Sequence, residues 1–453
     1  MFKTNFSSSA IFVALDSNLG ESKEFINVYV KEVVIVFGVV MFILVLIVLF
    51  NFIKNKSFVF KTSKPSKIKA SILFVSILIF LKFSLLVVYN LPYLIVKSSM
   101  EYYVESEKME KYSSKKRGNF NNVKTTSFDE DEQQVYVILI GESTSSKHMG
   151  IYDYYRNTTP LLCEIKDDLI VYNNVVSPNS YTVASLSKAL TLGNYENPNA
   201  KFDGSIIQLL NQAEYQTYWV SNQKPMGLHD SQISKIGLGA DKTYFLNIKH
   251  PDESTNYDEI LVEKLEDILL EKAKKKVIFL HMLGTHMDYQ KRYPDNFKTF
   301  VDTPIFSKFK SEDAHNTINA YDNAVKYLDY IIREVIDSVK KLNVNSFVLY
   351  FSDHGEEVYD SLEFMGHSTD QVITENIYKV PMLLWVSEKY KKNNILNSDI
   401  ELKYMTDDLF HSIADLTNIE SAEVDSTRSL FNNHFKERKR FIADTIDFDD
   451  FFK

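Results

Sequence analysis

Two stretches of the chain show no alternation of apolar and polar positions. Residues 33–53 (VVIVFGVVMFILVLIVLFNFI) carry no charge, and residues 70–96 carry one, Lys82. A helix of about 20 apolar residues crosses a hydrocarbon core. Each stretch is therefore predicted to be a transmembrane helix, with Lys82 snorkelling or facing protein. The plainer reading, a buried core helix, fits poorly with an uncharged run of this length. The loop between them (KNKSFVFKTSKPSKIK) holds Lys54, Lys56, Lys61, Lys64, Lys67 and Lys69 and no acid. The positive-inside rule places that loop in the cytoplasm. Everything beyond Lys97 is then expected outside it. The first 30 residues lack the basic start and long apolar run of a cleaved signal.

Past residue 134 the pattern changes to short β-branched runs separated by helical periods. The runs 135–140, 218–220, 277–280, 347–351 and 382–385 read as buried strands. The stretches 205–213, 260–275 and 320–342 read as helices. Such alternation predicts an α/β domain with a largely parallel sheet. Residues 97–133 are polar and mixed in charge. Tyr102, Tyr103, Met109 and Tyr112 suit an interfacial amphipathic helix, with a solvated linker as the alternative. The expected organisation is a membrane region over 1–96, a linker or interfacial helix over 97–133 and an extracytoplasmic catalytic domain over 134–453.

Composition narrows the function. With 453 residues, 45% of them hydrophobic, the chain can bury one large core and carry something smaller. The 13 Gly and 10 Pro are too few for long disordered linkers. A formal charge of -9 speaks against nucleic acid as a partner. Cys163 is the sole cysteine, so neither an intramolecular disulfide nor a Cys-rich metal site is available.

In α/β sheets the chemistry gathers beyond the carboxyl ends of the strands. There the sequence places Glu142 after the first strand, His281 to His286 after the strand at 277, and Asp353-His354 after the strand at 347. Carboxylates with imidazole suit Zn2+, with Mn2+ as an alternative. Singly, such a Glu is more often a helix cap and such a His a hydrogen-bonded core residue. SDHGE is more telling, because adjacent Asp and His project at a turn that Gly355 keeps tight. His367, in MGHST, is a further candidate whose plain alternative is a loop histidine.

Taken in order, these segments resemble the alkaline phosphatase/sulfatase superfamily and, within it, the bacterial phosphoethanolamine transferases. The resemblance rests on GESTSSKHMGIYDYYRNTTP (141–160), NNVVSPNSYTVASLSKALT (173–191), MLGTHMDYQKRYP (282–294), FSDHGEEVYD (351–360), VPMLLWVSEKY (380–390) and YMTDDLFHSIADL (404–416). NNVV, YWVSNQ and LYFSDHGEEVYD look most like the branch that modifies the lipopolysaccharide core. The resemblance implies an alkaline-phosphatase-like sandwich behind an N-terminal transmembrane region. It implies metal ligands Glu142, Thr182, Asp353 and His354, for one or two Zn2+, and Thr182 as nucleophile. The residues alone leave Ser180, Thr182 and Ser185 open, and give Thr182 the plain role of a helix N-cap. A hydroxyl beside a divalent metal ionises near neutral pH.

The implied reaction transfers phosphoethanolamine from phosphatidylethanolamine, through a covalent Thr182 intermediate, to a lipopolysaccharide or other surface-glycan acceptor. Lipid A, a core heptose, a glucan and a protein all stay open as acceptors. His286 and His367 are expected to stabilise phosphate charge, activate the acceptor or bind a second metal. The implied location is the bacterial inner membrane, with the catalytic domain in the periplasm. Asn222 and Gln223 read as substrate contacts or as a self-satisfied loop. Lys224, Lys291 and Arg292 read as acceptor-phosphate contacts or as solvated surface. DSNLGESKEF (16–25) resembles a family segment outside the membrane, where Asn18 and Glu21 would meet the donor's ammonium group. The family usually carries five spans and disulfides, whereas this sequence offers two spans and one cysteine. Rival readings are a glycerol-phosphate transferase, a phosphodiesterase, and a non-catalytic, membrane-anchored surface-binding protein. Sulfatase chemistry is disfavoured, since no C/S-x-P-x-R pattern is present.

Overall fold

The computed structural model describes residues 91–113, 115–126, 132–223, 232–247, 256–367 and 372–453, with short helical pieces between residues 11 and 76. The apolar stretches 33–53 and 70–96 lie mostly outside the described residues. Among the described residues no helix is long and apolar enough to cross a membrane. The chain divides into two compact units, the second made almost entirely of Glu105–Lys453.

Helix α1 spans Leu91–Ser113. Residues 115–126, polar enough to read as linker, are packed into the second unit. Phe120 is buried and stacks on Phe410 at 5.9 Å. Lys116 Nζ donates to the Leu238 carbonyl at 2.8 Å. Lys124–Thr125 pairs antiparallel with Ile419–Glu420.

The centre of this unit is a seven-stranded sheet. Its strands are β1 (Gln134–Gly141), β2 (Leu169–Tyr172), β3 (Gln216–Ser221), β4 (Lys242–Phe245), β5 (Lys275–His281), β6 (Asn345–Ser352) and β7 (Met382–Val386). The spatial order is β2-β7-β6-β1-β5-β3-β4. The pairings of β1 with β6 and β5, and of β3 with β5 and β4, are parallel. The sheet is largely parallel, as the sequence predicts, and is mixed only through β7, which runs against both β2 and β6. Short apolar runs such as 382–385 do not encode strand direction. Strand β4 (KTYF) has too few consecutive apolar residues to stand out, whereas β2 (LIVY) is as apolar as the runs read as strands yet is not among them.

All of β1 is buried, and its side chains alternate between two cores. Tyr136, Ile138 and Ile140 enter one, and Val135, Val137 and Leu139 the other. A sheet covered on both faces explains why its inner strands read as continuous apolar runs. Burying each Val, Leu or Ile contributes about 1.5–3 kcal/mol.

Helices cover both faces: α2 (Thr182–Ala189), α3 (Ile206–Gln212), α4 (Glu259–Leu269), α5 (Glu312–Lys340) and α6 (Leu409–Leu416). Helix α4 stops six residues before its predicted end. Lys276 Nζ, in β5, takes the carbonyls of Ile268 and Leu269 at 2.8 and 3.0 Å and closes the helix there. Helix α5 begins eight residues earlier than its apolar period. Its first turns are polar, and the Ser311 side chain caps them by accepting from Ala314 N.

Candidate metal and nucleophile site

Four loops meet at the carboxyl edge of β1, β3, β5 and β6. At the end of β1 the chain turns through Ser143, whose φ of 57° is left-handed. Such a conformation costs a non-glycine residue about 1–3 kcal/mol and is found where a side chain must be aimed. Here it leaves Glu142 pointing into the site with Ser143 Oγ donating to its Oε1 at 2.8 Å. Tyr321, on α5, secures the turn by donating to the Ser143 carbonyl at 2.8 Å and accepting from Ser145 N at 2.9 Å.

From β6 come Asp353 and His354, both fully buried. Asp353 Oδ1 accepts from Ser143 N at 3.1 Å and His354 N at 2.7 Å. His354 Nδ1 donates to the Gly355 carbonyl at 2.8 Å, which leaves Nε2 as the lone-pair nitrogen. That Nε2 stands 3.3 Å from Glu142 Oε1 and 3.5 Å from Asp353 Oδ2. Among the described residues, neither His354 Nε2 nor Asp353 Oδ2 has a hydrogen-bond partner. One ligand atom from each of Glu142, Asp353 and His354 falls within 4.8 Å of the others.

Two buried carboxylates and one imidazole make an unbalanced charge set. Burial opposes ionisation of Glu142, yet the adjoining His354 holds it well below the usual carboxylate range. Burial, and then Glu142, push Asp353 well above that range. His354 rises to about 10 through Asp353 and Glu142, against the effect of burial. A dication among these atoms would let both carboxylates ionise and take up the orphaned Oδ2 and Nε2. The donor set therefore fits Zn2+.

Thr182 completes the group. Its hydroxyl donates to Glu142 Oε1 and Oε2 at 3.2 and 3.1 Å. It is the first residue of α2 and not its cap. Tyr181 holds the cap position, and no side chain caps that end. The N-cap reading of Thr182 is thus set aside. Ser185 is buried and committed to the Asn179 carbonyl at 2.8 Å.

The other candidates divide. His367 lies in the stretch after the hairpin Glu357–Val358/Met365–Gly366, its ring 4.3 Å from that of His354. Its Nδ1 donates to Glu356 Oε2 at 2.8 Å, and Glu356 Oε1 accepts from Tyr289 at 2.8 Å. The Glu356 carboxylate thereby fixes the His367 ring. His354, Glu356 and His367 also offer ligand atoms within 4.8 Å of one another, but the His354 Nε2 faces Glu142 and Asp353.

His286 is half-buried. Burial lowers its imidazole to about 3, and Glu142, His354 and His367 all act on it. Its turn approaches Glu142 closely through Gly284, at φ 56°, where a Cβ would stand 2.7 Å from the Glu142 carbonyl oxygen. Asp258 pins the turn, accepting from Leu283 N at 2.9 Å and Gly284 N at 2.8 Å.

After β3, the Asn222 amide nitrogen donates to Asp258 and to the Asn256 carbonyl, away from Glu142. Gln223 instead reaches the site, donating to Glu142 Oε2 at 3.1 Å. Arg292 meets neither solvent nor an open face. It is buried, and its guanidinium holds the carbonyls of His286 and Met287. Lys291 is exposed beside Asp288 at 2.5 Å. Asn18, Glu21 and Lys224 lie outside the described residues. Sequence reasoning missed Ser143, Glu356, Tyr289 and Asp258. Only the DHGE spacing hinted at Glu356, since buried hydrogen-bond partners leave no periodic trace.

The sulfatase family profile matches residues 134–419 and takes in every residue of this site. The chain belongs to the sulfatase family. Within that family it falls with the phosphoethanolamine transferases. It is 35% identical over 322 residues to phosphoethanolamine transferase EptC of Escherichia coli strain K12, covering 69% of this chain and 56% of that one. The chain thus spans about half the length of the curated relatives it matches. The crystal structure of the C-terminal periplasmic domain of Escherichia coli EptC, in complex with Zn, superposes with a TM-score of 0.69 at 34% identity. That likeness covers 73% of this chain and 94% of that domain. The integral membrane lipooligosaccharide phosphoethanolamine transferase A of Neisseria meningitidis shares the fold, with a TM-score of 0.70 at 21% identity over 95% of this chain and 83% of that one.

Proposed function

We propose that this chain is a phosphoethanolamine transferase that moves phosphoethanolamine from phosphatidylethanolamine to a lipopolysaccharide acceptor, by way of Thr182. The observation that carries the reading is the Thr182 hydroxyl bonded to Glu142, inside a cluster whose remaining donors, Asp353 Oδ2 and His354 Nε2, are unpartnered. The relationship to EptC supports phosphoethanolamine as the group transferred.

Glu142, Thr182, Asp353 and His354 would hold Zn2+. When bound, that ion supplies a Lewis acid that lowers the pKa of a neighbouring hydroxyl and offsets phosphate charge. The protein does the rest. Glu142 and Gln223 fix the side of the site on which the Thr182 oxygen lies. The N-terminus of α2 directs its positive dipole end toward a bound phosphate.

Thr182 Oγ1 forms a bond to phosphorus as the bond to the glycerol oxygen breaks, the proton given up by Thr182 is delivered to that glycerol oxygen, and diacylglycerol leaves. The acceptor oxygen then forms its bond to phosphorus, and Thr182 is released. His367, oriented by Glu356, accepts the proton of the incoming hydroxyl. The neutral His286 can donate to phosphate oxygen without adding charge.

The two apolar stretches and the lysine loop support anchoring in a bacterial inner membrane with this unit in the periplasm. The test is to supply zinc-loaded protein with vesicles of phosphatidylethanolamine, with and without lipopolysaccharide, and to follow diacylglycerol and acceptor mass. Diacylglycerol release accompanied by a phosphoethanolamine mass gain on lipopolysaccharide is expected. Release without any gain would make the chain a phosphodiesterase. No release from folded, zinc-loaded protein would overturn the donor.

A further inference from the structure

The segment 298–310 joins the His286 loop to α5 and turns on residues that turns ordinarily avoid. Ser307 N donates to the Pro304 carbonyl at 3.3 Å, which puts Ile305 and Phe306 at the two central positions of a turn. Such positions favour Gly, Asn, Asp and Ser. Here Ile305 is 72% exposed and Phe306 71%. Val301 is exposed as well, and Tyr155 packs edge-on against the Phe306 ring at 4.9 Å. The segment therefore gathers apolar side chains in contact with water on one projecting tip.

The base of the tip is fixed, so this is a built feature and not a frayed loop. Asn323, on α5, accepts from Thr299 N at 2.7 Å and Phe300 N at 2.8 Å, and donates to the Phe300 carbonyl at 3.0 Å. Asn319 donates to the Asp302 carbonyl at 2.9 Å, and Arg156 pairs with the Asp302 carboxylate at 3.3 Å. Helix α5 runs from the carboxyl edge of the sheet, where the site lies, toward its amino edge. The tip consequently stands on the same side as Thr182 and the metal cluster. It adjoins the hairpin that leads to His367 through a Phe309–Tyr359 ring contact of 6.0 Å.

We propose that this tip docks on a lipid surface. Charge supports that occupant. Exposed Lys298, Lys308 and Lys310 flank the apolar residues, while the acid between them, Asp302, is paired with Arg156. Exposed aliphatic and aromatic side chains rimmed by lysine suit the boundary between acyl chains and anionic headgroups. A second protein is the poorer occupant. A stable protein interface buries about 800 Å² on each partner, far more than a two-residue turn tip offers. Docking would bring the carboxyl edge of the sheet toward the bilayer.

The test uses the full chain with Cys163 replaced by Ser, so that a single fluorophore can be placed by Ile305→Cys. Leu270→Cys is the control, since Leu270 is 85% exposed and precedes β5 at the opposite edge of the sheet. Each protein, its far-UV circular dichroism matching the parent's, is reconstituted with phosphatidylglycerol-containing vesicles that carry nitroxide-labelled lipid. Quenching several-fold greater at 305 than at 270, and reduced by Lys308→Glu with Lys310→Glu, is expected. Equal quenching at the two positions would overturn the proposal. So would quenching at 305 that is absent while the labels of two chains interact, which would make a second copy the occupant.

Discussion

The Thr182 hydroxyl lies 3.1 and 3.2 Å from the two carboxylate oxygens of Glu142, a residue delivered by a different strand and loop. The pair does what neither residue does alone. Glu142 holds the hydroxyl at the head of α2, and the loop Ser143 to Ser146 holds Glu142.

The orphaned atoms of Asp353 and His354 predict a metal affinity that depends on each of Glu142, Asp353 and His354. Alanine at any of them should remove bound zinc, measured by inductively coupled plasma mass spectrometry after dialysis. In the parent, zinc at about 100 times its Kd should stabilise the fold by about 2.7 kcal/mol. A triple variant that keeps full zinc content would show that the metal sits elsewhere.

Gly284→Ala tests the close approach beneath Glu142. Its φ of 56° and the 2.7 Å between a Cβ and the Glu142 carbonyl oxygen leave no room for a side chain. Urea unfolding should show a loss of about 1–3 kcal/mol, together with weaker zinc binding. Unchanged stability would mean that the turn relaxes freely.

Glu356→Gln and Tyr289→Phe test the orientation of His367. Each should lower transfer, by about a hundredfold if His367 moves the proton, while zinc content stays at the parent's level. Loss of zinc in step with activity would instead place Glu356 among the metal's supports.

The fold reading succeeded where burial leaves a pattern. The runs around 135–140, 277–280 and 347–351 are apolar because both sheet faces are covered, and their ends located Glu142, His286 and Asp353. Strand direction at β7 was not legible, because antiparallel and parallel central strands are equally apolar. The start of α5 was hidden by its polar first turns. The supports of the site, such as Ser143 and Asp258, were invisible for a related reason. They act through single hydrogen bonds set by tertiary contact, and a lone polar residue after a strand has no distinctive spacing. Resemblance alone singles out Thr182 in the sequence, and its hydrogen bonds to Glu142 are the physical reason to prefer it over Ser185.

His148 predicts a pH dependence of stability separate from the site. It is buried between Asp322 on α5 at 2.7 Å and Asp360 at 3.2 Å. Burial disfavours its charge, but Asp360 and Asp322 raise it from 6.5 to about 10. A histidine raised on folding stabilises fully below its unfolded pKa, and that contribution is lost as pH climbs toward the folded value. The gap in Tm between the parent and His148→Gln should therefore be widest near pH 6 and close between 6.5 and about 10. A gap that is constant over that range would show His148 to be neutral in the fold.

The most direct measurement is the intact mass of the zinc-loaded protein after incubation with phosphatidylethanolamine, followed by peptide mapping. A phosphoethanolamine adduct on the peptide holding Thr182, released on adding lipopolysaccharide and absent from Thr182→Ala, is the expected result. An adduct on another residue, or undiminished transfer by Thr182→Ala, would contradict the assignment of Thr182 as the nucleophile.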